Sequence, residues 1–166
     1  MFVRSFVCVL VVAMTVVAGH PLVAQSRAVK GSMTVSGKVS QLSHVRAFTK
    51  KVFGRPAVLL VFSDIALSAA DAANDTKLSE LGNNGTLHAM GILIGDDREG
   101  KKVAVSNEIY DQGFHGRMSI GGQETFETTR SDATSIAGHV FLKPEKKFDT
   151  GITFSYDVTF DAAIEP

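Results

Sequence analysis

From Met33 to Phe160 apolar residues tend to recur at every second position, and the pattern is plainest in the last stretch, GITFSYDVTFDAAI. Ile152, Phe154, Tyr156, Val158 and Phe160 fall on one side; Thr153, Ser155, Asp157 and Thr159 fall on the other. Side chains two apart share one face of an extended chain, so this rhythm predicts half-buried strands. Met33, Val35 and Val39 alternate with Thr34, Ser36 and Lys38, interrupted by Gly37, which marks a bulge or a tight bend. SHVRAFTK is a second extended piece. AVLLVF, from Ala57 to Phe62, is apolar throughout, which predicts a central strand covered on both faces. Further strands are expected in TLHAMGILIG, KKVAVSNEIY, FHGRMSI, ETFETT and SIAGHVFL, and the polar link GDDREGKK reads as a hairpin connection.

The period changes once. In SAADAANDTKLSELG, Ser68 and Asp71 stand three apart, an arrangement that satisfies free backbone N–H groups at a helix start. Leu67, Ala70, Asn74, Leu78 and Leu81 then recur at helical spacing, and Gly82 can adopt the left-handed conformation that ends a helix. The expected fold is mainly β: an antiparallel β-sandwich or partly open barrel of about eight strands, with one short helix over residues 69–81 packed across it. The aromatic row of the last strand then belongs to the core, where each ring contributes about 2 kcal/mol by leaving water.

The first residues have a different character. Arg4, an apolar run from Phe6 to Ala18, the breakers Gly19 and Pro21 and the small Ala24 have the three-part layout of a signal peptide. The run is shorter than the roughly 20 residues of a membrane span, and no second such segment follows. A signal peptide over 1–24 and a single β-rich domain over 25–166 are therefore expected, with no integral membrane segment in the mature chain and a periplasmic or extracellular location. The only cysteine, Cys8, lies in the leader, so the exported domain is held together by packing without a disulfide. With 17 Lys+Arg against 17 Asp+Glu, the overall charge gives no reason to expect nucleic acid as a partner.

The order of segments carries a resemblance. KGSMTVSGKVSQLSHVRAF, VLLVFSDIAL, a helix, LHAMGILIG, IAGHVFL and FSYDVTFDAAI together resemble a group of uncharacterised exported bacterial β-rich domains, which open on a short strand with Gly and a basic residue and close on an aromatic strand ending in Phe-Asp-Ala. The resemblance implies the fold and the compartment, and no activity.

Candidate chemistry is sparse. His88 and Met90 form a His-x-Met step within a predicted strand, where both side chains share a face about 7 Å apart. Imidazole and thioether suit copper, with His115 or Met118 as a third donor if their strand pairs with this one. Ile92 and Ile94 continue that face, which is also what a core would look like. His139 lies on the polar side of its strand with Ser135, Ala137 and Phe141, and His44 stands beside Arg46. GRMSIGG lacks the pattern of a nucleophile elbow, and GGQE and GDDREG lack the lysine and helix of a phosphate loop. The reading is a non-enzymatic exported module that binds an unknown protein or small ligand at the cell envelope, with loops 50–56, 111–116 and 143–151 as contact regions. The alternative is a copper or small-ligand carrier using His88 and Met90.

Overall fold

In the computed structural model, which describes residues 28–112, 114–119, 125–148 and 151–166, the aromatic C-terminal stretch forms the strand on which the domain is assembled. The expected leader lies outside the described residues. Ten strands occur among them: β1 (Ala28–Val35), β2 (Lys38–Leu42), β3 (His44–Val52), β4 (Arg55–Ser63), β5 (Ala89–Asp96), β6 (Lys102–Asp111), β7 (Phe114–Ser119), β8 (Thr125–Ser131), β9 (Ser135–Lys147) and β10 (Thr153–Glu165). Two helices, α1 (Ala69–Ala72) and α2 (Asp75–Asn83), lie between β4 and β5.

β10 pairs with β1 on one side and β9 on the other, giving a first layer ordered β2-β1-β10-β9-β8. The second layer, β3-β4-β5-β6-β7, is a succession of antiparallel neighbours. The two join where the end of β10 runs parallel to β3, Ile164 opposite Ala47 and Glu165 opposite Phe48. The sheet is therefore mixed and does not close on itself. Phe154, Tyr156, Val158 and Phe160 are buried in the space between the layers with Met33, Leu60, Phe62, Met90, Ile92 and Val140. The row of rings is core. Phe160 stacks on Phe126 with centroids 6.2 Å apart and meets Phe62 edge-on at 5.2 Å, two geometries that suit the aromatic quadrupole.

β4 is central in its layer, as its unbroken apolar run requires. Leu60 and Phe62 face the inter-layer core, while Val61 faces a second cluster with Phe48, Leu78, Leu87, Ala89 and Tyr110, under the helices. Gly37 forms a turn of its own. Ser36 and Gly37, with φ of 48° and 80°, make a two-residue hairpin that divides the Met33–Val39 stretch into β1 and β2, one reason the strands exceed the eight expected.

The helical segment also differs from its sequence reading. Ser68 caps as expected, its Oγ accepting from the Asp71 N–H at 3.0 Å. One turn later, however, the Asn74 side chain accepts from the Lys77 N–H at 3.1 Å and starts a second helix. A strong capping residue in mid-segment resets the helix, so the single helix over 69–81 becomes two. Gly82 lies inside α2, where its bare Cα lets the helix sit on β6: a Cβ there would come 2.8 Å from the Tyr110 carbonyl carbon. Gly85, with φ of 74°, takes the left-handed conformation instead. Lys143 to Lys147 belong to β9, where a loop was expected.

Candidate functional site

The outer face of the second layer is only partly covered by α1 and α2. Where they stop, a groove of about 320 Å³ lies open between the helices and the β3 end of the sheet. Its floor is apolar, made by Leu59 of β4 and Gly91 and Leu93 of β5. Gly91 determines its depth. A Cβ at 91 would meet Leu59 Cδ1 at 3.6 Å and Tyr110 Cε2 at 3.8 Å, ordinary contact distances, so a larger side chain here would fill the groove without colliding with backbone.

The ends of the groove carry opposite charge. At one end stand Asp75 and Glu108 with Tyr110; at the other, Lys50 and Lys51. Asp75 is in the first turn of α2, the position the Asn74 cap creates, and its Oδ1 accepts the Tyr110 hydroxyl at 2.7 Å. Burial of the ring, the hydrogen bond to Asp75 and the charge of Glu108 all push the Tyr110 phenol far above its ordinary value. It therefore keeps its proton at physiological pH and serves as a hydrogen-bond donor. Glu108 shares the outward face of β6 with Tyr110, two residues away, and pairs in register with Gly91. Lys50 on β3 and Glu108 on β6 are three strand spacings apart, and Glu108 lies in row with Arg46, four residues from Lys50, so the two positions are separated by about 19 Å over the sheet.

His88 and Met90 flank the first residue of β5 and are not brought to one open face. Met90 is fully buried in the inter-layer core, opposite Phe62 on one side and Ile109 on the other. His88 lies at the rim with its side chain 34% exposed, its Nδ1 3.0 Å from Asp111 Oδ1 and its backbone N–H donating to Asp64 Oδ1 at 2.9 Å. His115 pairs in register with Tyr110, and Met118 with Asn107. Among the described residues no three His, Cys, Asp or Glu side chains are placed to share a metal ion.

His139 lies on the solvated face of the other layer. Its Nε2 is 2.7 Å from Asp157 Oδ1, and Glu127 Oε2 is 3.6 Å from its Nδ1. Hydrogen bonds from Lys143 and then His139 hold the Asp157 carboxyl below the usual carboxylate range. These are exposed cross-strand pairs on the polar side of β9, where the sequence places His139.

Comparison with protein-family models, characterised proteins and solved structures finds no match. The groove thus has to be read from its own chemistry. Neither Tyr110 nor Gly91 stands out in the sequence as a site residue. The available signal was a glycine in the middle of an otherwise apolar strand, where the floor of a site can approach a ligand closely.

Proposed function

We propose that this chain is an exported, non-enzymatic binding module that holds a small ligand in the groove between the helices and the outer face of β3–β6. The observation that carries this reading is the combination of an apolar floor, deepened at Gly91, with an acidic, phenol-bearing end and a cationic end. Such a site takes a small molecule by apolar contact along its middle and fixes its direction by charge at its ends. The best match is a zwitterion with an ammonium toward Asp75 and Glu108, an anionic group toward Lys50 and Lys51, and an apolar portion over Leu59 and Leu93. The separation of the charged ends supports binding over catalysis, because acid, base and cation do not converge on one reacting atom.

Isothermal calorimetry with a panel of ω-amino acids, short peptides and betaines tests it. A member of the panel is expected to bind the wild-type protein and to lose at least tenfold in affinity with Gly91→Leu, which fills the floor. The reading fails if no member binds, or if binding is unaffected by Gly91→Leu in a protein whose melting temperature is unchanged.

A further inference from the structure

The hairpin joining β3 and β4 turns on two residues, Phe53 and Gly54, with φ of 50° and 79°. Two positive φ values in a two-residue loop suit Asn, Asp or Gly at the first position, because a Cβ is crowded there. The β1–β2 turn has the same signs of φ and uses the small polar Ser36. At the β3–β4 tip a phenylalanine is held in this conformation with its side chain 100% exposed, the most exposed large apolar residue among those described. Turn geometry disfavours the residue and packing does not use it. Strain retained at an exposed position points to something outside the molecule.

The surroundings say what. Lys50, Lys51 and Arg55 are exposed on the same hairpin, which carries no acid from Lys50 to Pro56. Because β3 to β6 are successive antiparallel neighbours, the β5–β6 connection emerges at the same end of the layer. It adds exposed Arg98 and Lys101. Of its acids, Asp97 is turned into the loop, accepting from the Glu99 and Lys101 N–H groups at 2.8 and 2.9 Å, Asp96 is paired with Lys102 at 2.8 Å, and Glu99 is exposed beside Arg98, so the surplus of positive charge at this end comes from Lys50, Lys51 and Arg55 of the hairpin. A chain with 17 basic and 17 acidic residues thus concentrates cations around one protruding ring.

A single aromatic side chain on a narrow convex tip gives a protein partner little area to bury, whereas stable protein interfaces need a broad complementary patch. A bilayer surface accepts just this shape: the ring enters the boundary between headgroups and acyl chains, and the surrounding cations meet lipid phosphates. We propose that the β3–β4 hairpin docks the domain on an anionic membrane surface, Phe53 entering the interface and Lys50, Lys51, Arg55, Arg98 and Lys101 supplying the electrostatic attraction. No helix among the described residues is long and apolar enough to cross a membrane.

The chain contains no tryptophan, so Phe53→Trp introduces the only indole. With vesicles of phosphatidylcholine containing 30 mol% phosphatidylglycerol, its emission is expected to shift to the blue, and with pure phosphatidylcholine to stay unchanged. Two further variants spare the groove. In vesicle co-sedimentation Phe53→Asn, which suits the turn, is expected to weaken binding at least fivefold, and the triple reversal Arg55→Glu, Arg98→Glu, Lys101→Glu at least tenfold. The proposal is overturned if the indole emission does not respond to anionic vesicles, if Phe53→Asn binds as well as wild type, or if neutral and anionic vesicles bind equally. It is also overturned if sedimentation without lipid shows a dimer that Phe53→Asn dissociates, since the ring would then serve self-association.

Discussion

Arg46 and Glu165, 119 residues apart, form a two-pronged ion pair, Nε to Oε1 at 2.9 Å and Nη2 to Oε2 at 3.0 Å. The pair sits where, among the described residues, strand pairing joins the two layers, the parallel step of β10 beside β3. The Arg46 and Glu165 side chains are 17% and 15% exposed, and Arg46 Nη1 also donates to the Leu67 carbonyl, tying the approach to α1 into the same joint. Removing one partner from a pair this enclosed leaves a charge short of its counter-charge. Glu165→Ala is expected to cost about 2 kcal/mol, below the full cost for a completely buried pair. Urea denaturation checks it; an unchanged midpoint would mean that the layers are joined by packing alone.

Two glycines in different layers, Gly138 on β9 and Gly91 on β5, predict opposite outcomes for the same substitution. A Cβ at Gly138 would lie 2.5 Å from the Glu127 carbonyl oxygen and 2.9 Å from Phe126 Cε2, beneath the ring that stacks on Phe160. Gly138→Ala is expected to cost about 2 kcal/mol by forcing β8 away from β9. Gly91→Ala meets nothing closer than 3.6 Å and is expected to lie within about 0.5 kcal/mol of wild type. Paired thermal denaturation of the two variants reads the difference.

The exposed ring at the β3–β4 turn should lower stability. Relieving a bulky side chain of a left-handed φ by Phe53→Asn is expected to raise stability by about 0.5 to 1 kcal/mol, measured by urea denaturation in the absence of lipid. A loss of stability would show that Phe53 is a structural residue and remove the strain on which membrane docking is argued.

Asp132 organises the turn between β8 and β9. Its carboxylate accepts from the Ser135 hydroxyl at 2.7 Å and from the Thr134 hydroxyl and the Thr134 and Ser135 N–H groups at 2.8 Å. These bonds, Ser135 first, hold the carboxyl well below its ordinary value. A depressed folded-state value stabilises the fold above the unfolded carboxylate value of about 3.9, and that contribution is lost as pH falls toward the folded-state value. The stability gap between wild type and Asp132→Asn is therefore expected to be constant from pH 5 to 7 and to narrow below about pH 4. A gap independent of pH down to 2 would show that the ionised form is not what matters.

Much of the fold was legible because burial enforces period two. The inward row of β10 and the polar side of β9 carrying His139 follow from alternation, and the interior position of β4 from its unbroken apolar run. Three features were not legible for definable reasons. Asn74 is compatible with a helix interior, and only its three-dimensional cap on Lys77 reveals the break. The Ser36–Gly37 and Phe53–Gly54 turns depend on φ signs that Asn-Gly would have announced and that Ser-Gly and Phe-Gly do not. The groove is assembled from β3 to β6 and α2, segments from residue 50 to residue 110, and no local spacing encodes it. The histidine step did stand out locally, yet strand parity places Met90 in the core.

The most direct measurement is amide chemical-shift mapping of the ¹⁵N-labelled protein titrated with the tightest-binding zwitterion of the calorimetric panel. Saturable shifts are predicted at Gly91, Leu93, Glu108 and Tyr110 and at the start of α2, with Lys50 and Lys51 moving in the same titration. Shifts confined to the other layer or to the rim around His88, or no saturable shift at all, would contradict a ligand site on this face of the sheet.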